Sequence, residues 1–109
     1  MIDNGTQLQH PDLAPNLWMN PKDSTINLRD DDLDGVIDDV YGASFEPNGR
    51  PAWAVYPTAG EVDNFHGTHV AGIIGAVANG GGPAVGVNWN VKILTVKINE
   101  DTTPSDYVE

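Results

Sequence analysis

His66-Gly67-Thr68-His69-Val70-Ala71-Gly72-Ile73-Ile74-Gly75-Ala76-Val77-Ala78 is the stretch on which the fold turns. Val70, Ile73, Ile74 and Val77 recur at helical spacing and predict an apolar stripe on a helix from His66 to Ala78, with Asp63 or Asn64 able to cap it. Gly67, Gly72 and Gly75 each weaken such a helix by about 1 kcal/mol relative to Ala. A helix that carries all three is expected to lie buried against neighbours that approach it closely. A histidine at its mouth is where a proton-transferring base can be held and aimed.

Beyond the Gly80-Gly81-Gly82-Pro83 break, Val91-Lys92-Ile93-Leu94-Thr95-Val96-Lys97-Ile98 is rich in β-branched residues and alternates in part. That is the pattern of a strand in a sheet covered on at least one face. Helix followed by strand predicts an α/β arrangement. Thr103-Pro104-Ser105-Asp106 has the cap, proline and acid that open a further helix, yet Glu109 ends the chain after barely one turn. One turn does not recover the cost of helix nucleation, and only Met1 and Ile2 precede Asp3. The expectation is therefore a portion of a larger α/β domain, truncated at both ends. The N-terminal residues are dense in Pro, Asn and Asp, with turns at Asn4-Gly5, His10-Pro11, Ala14-Pro15 and Asn20-Pro21, and predict loops with one helical turn near Pro11 to Leu17. Residues 46–63 predict a Pro- and Gly-rich connection.

With 109 residues, one domain or part of one is the ceiling. Sixteen acidic residues against five Lys and Arg give a formal charge of −11, which disfavours nucleic acid and anionic membranes as partners. The absence of cysteine excludes disulfides, zinc–thiolate sites and thiol nucleophiles. No apolar run approaches the roughly 20 residues that span a bilayer, and the start lacks the basic and apolar regions of a signal peptide. Trp18, Trp53 and Trp89 have no basic interleaving and are expected to pack rather than to bind nucleic acid.

His66 and His69 fall on neighbouring positions of one helix face. A zinc metalloprotease needs two histidines four apart around a glutamate, whereas here Gly67 and Thr68 intervene, so zinc is not expected. The Asp-rich stretch is more suggestive. From Asp30 to Asp39 six of ten residues are Asp, and carboxylates this close need solvent or a cation. Within Asp30-Asp31-Asp32-Leu33-Asp34-Gly35-Val36-Ile37-Asp38, oxygens at alternate residues, glycine at the sixth position and an apolar eighth match much of a calcium loop. Tyr41 stands at the twelfth position in place of the bidentate glutamate, and no amphipathic helix leads in, so an EF-hand is not predicted.

His66-Gly67-Thr68-His69-Val70-Ala71-Gly72 resembles the histidine motif of the subtilisin-like serine proteases, the subtilases. Ile2-Asp3-Asn4-Gly5 followed by His10-Pro11-Asp12-Leu13 is similar to the family's aspartate motif in content, spacing and order. The order Asp, His, Ser is that of the subtilisin triad. By this resemblance Asp3 is the triad aspartate, His66 the general base and His69 structural. It implies a partial subtilisin-like fold across residues 1–109, with a mainly parallel sheet flanked by helices. The parent is implied to be an exported serine endopeptidase acting on protein or peptide substrates, with no organic cofactor.

The third triad member is missing from the pattern. The family nucleophile lies in a Gly-Thr-Ser-Met-Ala type motif, and Ser24, Ser44 and Ser105 stand in no such setting. The polypeptide by itself is therefore not expected to hydrolyse peptides. Phe65 stands before the histidine where the family usually has a small residue, and Asn4 replaces the usual Thr or Ser after the aspartate. Residues of about 27–45 resemble an Asp-rich insertion of bacterial subtilases, which implies structural calcium held by Asp30, Asp32, Asp34, the Val36 carbonyl and Asp38 or Asp39. A rival class stays open: a non-catalytic calcium-binding interaction module, or a degenerate protease homologue.

Overall fold

A computed structural model describes residues 1–45, 55, 65–78 and 84–98. Strand β1 spans Ile2–Asp3, β2 spans Gly42–Ser44, helix α1 spans His66–Gly75 and β3 spans Thr95–Lys97. The sheet order is β1-β3-β2 and both pairings are parallel, as an α/β protein requires. Ile2 lies beside Val96 and Asp3 beside Lys97, while Gly42, Ala43 and Ser44 lie beside Thr95, Val96 and Lys97. Asp3 thus occupies the C-terminal end of a parallel strand, where open parallel sheets present their ligands and reacting groups.

The ladder is shorter than the strand predicted over Val91 to Ile98. Ile93 pairs instead with the chain after a 3-10 turn at Ala14–Asn16, through Ile93 N–H to Asn16 O at 2.8 Å and Trp18 N–H to Ile93 O at 2.9 Å. That turn lies within the helical turn predicted near Pro11 to Leu17. β3 alternates in burial, with its polar residues inward: Thr95 and Lys97 are fully buried and Val96 is half-buried. Thr95 Oγ1 meets Thr6 Oγ1 at 3.1 Å inside the protein.

Helix α1 also differs from its prediction. It ends at Gly75 rather than Ala78, because the next backbone groups are taken by other partners. Val77 N–H donates to Asp12 O and Gly86 N–H to Ala76 O, each at 2.9 Å, and Asn16 Nδ2 donates to the Gly75 carbonyl at 2.9 Å. Its N-cap is Phe65, which has no side-chain acceptor to offer; Asp63 and Asn64 lie outside the described residues.

The buried face of α1 is not the apolar stripe either. Gly67, Ala71 and Gly75, spaced four apart, are buried, whereas Ile73 is 55% exposed. A Cβ on Gly75 would stand 2.4 Å from Val91 Cγ1. Small residues bring the helix backbone close to its neighbours. The core beneath comprises Leu13, Leu17, Ala71, Ala76 and Ile93, with Met1, Leu8, Tyr41, Ile74 and Val91 packed around it.

Of the predicted connection at 46–63, only Val55 is described: it is fully buried, and its carbonyl accepts the Thr6 N–H at 2.9 Å. The Gly80–Pro83 break and the helix start at Thr103 lie outside the described residues. No helix among the described residues is long and apolar enough to cross a membrane.

Candidate active site

Two segments 63 positions apart meet at the end of β1. His66, the first residue of α1, places Nδ1 at 2.8 Å from Asp3 Oδ1 and 3.0 Å from Oδ2. The carboxylate is nearly buried, with 11% of the side chain exposed, while the ring is 63% exposed. An ionised carboxylate only accepts hydrogen bonds, so Nδ1 carries the proton, and in the neutral ring Nε2 then carries the lone pair. That is the tautomer a general base needs. α1 has no acidic residue in its own first turn, and Asp3 supplies a negative charge at its positive end from outside the helix.

Glycine at 67 makes this approach possible. A Cβ there would lie 2.2 Å from the Gly5 carbonyl oxygen and 3.0 Å from both Asn4 Oδ1 and Asp3 Oδ1. One further hydrogen bond braces the aspartate within its own segment and two join that segment to the helix. Asn4 N–H donates to Asp3 Oδ1 at 2.8 Å, Gly67 N–H donates to Asn4 Oδ1 at 2.9 Å, and Gln7 N–H donates to Thr68 Oγ1 at 3.0 Å.

Beside the pair lies a cavity of about 400 Å³ between α1 and the segment from Gln7 to Leu13. Phe65, 74% exposed, stands at its rim, and His69 lines its wall as an exposed residue. His10 Nδ1 accepts the Asp12 N–H at 3.2 Å and so holds the turn of the His-Pro-Asp-Leu segment. Ser24 is exposed in a loop and Ser44 is buried in β2; Ser105 lies outside the described residues.

The acidic loop gathers carboxylates in two groups that share Asp32. Asp23, Asp30 and Asp32 bring oxygens within 4.8 Å of one another, and so do Asp32, Asp34 and Asp39. Asp23 was invisible to sequence reasoning, since it precedes the Asp run by seven residues and no local spacing marks it. Asp23 is fully buried, and Asp23 Oδ1 and Asp32 Oδ1 are both buried without a hydrogen-bond donor among the described residues. Buried carboxylate oxygens in this state are costly unless a cation meets them. The donor set, all carboxylate oxygen, suits a hard cation such as calcium.

Asp38 is used otherwise. It is fully buried, and its carboxylate accepts the Asn27 N–H at 2.8 Å and the Leu28 N–H at 2.9 Å. It belongs to neither group. Val36 donates its N–H to Asp34 Oδ1 at 2.9 Å. Buried Asn20 donates from Nδ2 to Asp32 Oδ2 and to Asp39 Oδ1, spacing two like charges. Burial pushes the Asp39 carboxyl above its ordinary range; the Asn20 bond opposes this and the charges of Asp34, Asp32 and Asp23 add to it. The Gly35 N–H holds Asp30 below its ordinary range, against some loss of hydration.

A carboxylate that orients an imidazole between a parallel strand and a helix N-terminus is an arrangement chemically able to support general-base catalysis. Residues 1–109 match the sequence profile of the Subtilase family, and the chain belongs to that family. It is 45% identical over 101 residues to Subtilisin-like protease 1 of Plasmodium vivax, an alignment that covers 89% of this chain and 14% of the relative. The Plasmodium falciparum protein of the same name is 42% identical over 89% of this chain and 13% of its own length. The human Proprotein convertase subtilisin/kexin type 6 is 33% identical across the whole chain, which spans 9% of it. The chain thus spans a small part of the curated relatives it matches.

Proposed function

We propose that this chain is the aspartate- and histidine-bearing part of a serine endopeptidase that cleaves protein or peptide substrates. The observation that carries this reading is the contact of His66 Nδ1 with Asp3 Oδ1 at 2.8 Å, made by a ring that is 63% exposed. Asp3 holds the tautomer and stabilises the imidazolium; His66 takes the proton of a serine hydroxyl as it attacks the carbonyl and returns it to the leaving amine. The serine and the donors for the oxyanion come from elsewhere in the polypeptide, in a larger sheet with helices on both faces. Residues 1–109 alone are then inactive. Export of the parent belongs to the same reading.

Calcium is part of the proposal as a structural ion. Asp23, Asp30, Asp32, Asp34 and Asp39 would hold it, and its charge would compensate the buried Asp23 Oδ1 and Asp32 Oδ1. Bound there, calcium supplies charge neutralisation and fixes the loop.

The experiment is labelling of the full-length protein with a fluorophosphonate, which reacts with an activated serine. Labelling and peptide hydrolysis should both disappear in His66→Ala. A full-length protein that takes no label supports instead a non-catalytic homologue whose acidic loop binds calcium.

A further inference from the structure

Among the described residues, helix α1 has no side-chain cap from its own N-cap position. The first N–H groups of a helix have no partner inside it, and the N-cap side chain normally accepts one from the second or third helical position. Phe65 has no such acceptor. The N–H of Gly67, the second helical residue, is met instead by Asn4 Oδ1 at 2.9 Å, from a residue distant in sequence and adjacent to Asp3. The same residue donates its backbone N–H to Asp3 Oδ1 at 2.8 Å. Asn4 therefore touches both halves of the pair: the carboxylate directly, and the imidazole through the peptide that follows His66.

We propose that Asn4 is a positioning residue, a cap supplied across space that fixes the start of α1 against β1 and so sets the alignment of His66 with Asp3. The proposal rests on the protease reading for its kinetic consequence, and its geometric consequence holds for any full-length form of the chain. Asparagine suits the task because its carbonyl oxygen accepts without placing a second charge beside Asp3, and asparagine is among the best capping acceptors. Asn16 does the corresponding work at the far end of α1, where its Nδ2 meets the carbonyls of Gly75 at 2.9 Å and Trp89 at 3.0 Å. That far end touches neither Asp3 nor His66, so Asn16 serves as a comparison for loss of helix anchoring alone.

The test compares Asn4→Leu, Asn4→Asp and Asn16→Ala in the full-length protein. Leucine keeps the volume and removes the acceptor; aspartate keeps the acceptor. One readout needs no catalysis: the downfield proton resonance of His66 Nδ1–H, whose position reports the bond to Asp3. It should move upfield or broaden away in Asn4→Leu, persist in Asn4→Asp, and stay in place in Asn16→Ala even where that variant melts earlier. In the active protease, kcat of Asn4→Leu should fall on the order of tenfold or more while KM stays within about twofold, since a misaimed base costs rate rather than binding. An unchanged resonance and kcat in Asn4→Leu overturns the proposal, as does an equal shift in Asn16→Ala. A protein with no hydrolysis in its wild-type form refutes the protease reading, while the resonance still decides the role of Asn4.

Discussion

At the scale of single residues, two side chains form the candidate site and one missing side chain lets them meet. The Asp3–His66 contact depends on Gly67, where a Cβ would stand 2.2 Å from the Gly5 carbonyl. Backbone at that distance does not yield as a flexible side chain would. Gly67→Ala should therefore push α1 from β1 and, if the full-length protein is the protease proposed above, lower its kcat/KM on the order of a hundredfold, as misplacement by about 1 Å does. Steady-state kinetics with active-site titration measure it, and a variant within a few-fold of wild type refutes the requirement for glycine. Asp3 and His66 were legible in the sequence because each sits in a local motif with fixed spacing. Asn4 was legible only as a departure, and Asp23 not at all, since their partners arrive from distant segments through the fold.

At the scale of elements, the helix and β3 were foreseen in kind and misjudged in detail, while β1 and β2 fall in segments whose composition predicts no strand. Helical periodicity pointed to Val70, Ile73, Ile74 and Val77 as the packed face, whereas close contact selects Gly67, Ala71 and Gly75. Periodicity weighs hydrophobic surface; it does not register how near a backbone must come. The glycines accordingly separate into two kinds. A Cβ on Gly75 would meet Val91 at 2.4 Å and Ile93 at 3.2 Å, but a Cβ on Gly72 would meet nothing within 4 Å. Gly72→Ala should stabilise the protein by up to about 1 kcal/mol through helix propensity. Gly75→Ala should destabilise it by about 1–3 kcal/mol through overpacking. Thermal melts of the two variants give the signs directly, and equal effects at both positions would refute the distinction. The early end of α1 was likewise hidden, because Asp12 and Asn16, which take its last backbone groups, lie in a segment that reads as loop.

At the scale of the whole molecule, a chain of charge −11 buries three of its carboxylates within or beside the acidic loop. Asp23, Asp38 and Asp39 are buried: the Asp38 carboxylate accepts the Asn27 and Leu28 N–H groups, whereas Asp23 accepts the Asp38 N–H at Oδ2 and its Oδ1 meets no donor among the described residues. Calcium should therefore raise the melting temperature, by an amount that corresponds to about 2.7 kcal/mol once its concentration reaches a hundred times the dissociation constant. Asp23→Asn and Asp32→Asn should shrink that rise. Asp38→Asn should lower the melting temperature with and without calcium and leave the rise intact.

The pH dependence has two opposed parts. Asp39 has its pKa raised by burial, so without calcium its contribution to stability is full below the unfolded pKa and is lost as pH rises through the folded one. Asp30 has its pKa lowered by the Gly35 N–H, so its contribution is present above the unfolded pKa and lost as pH falls through the folded one. A bound cation favours the carboxylate form of both. The melting-temperature rise given by saturating calcium should thus grow as pH increases through the raised Asp39 pKa, and calcium should relieve the destabilisation that Asp39 causes on the alkaline side of that titration. Calorimetric melts with calcium and with a chelator, across pH, measure the difference. A rise that is the same on both sides of the carboxylate range, or one that Asp39→Asn leaves unchanged, would remove Asp39 from the site.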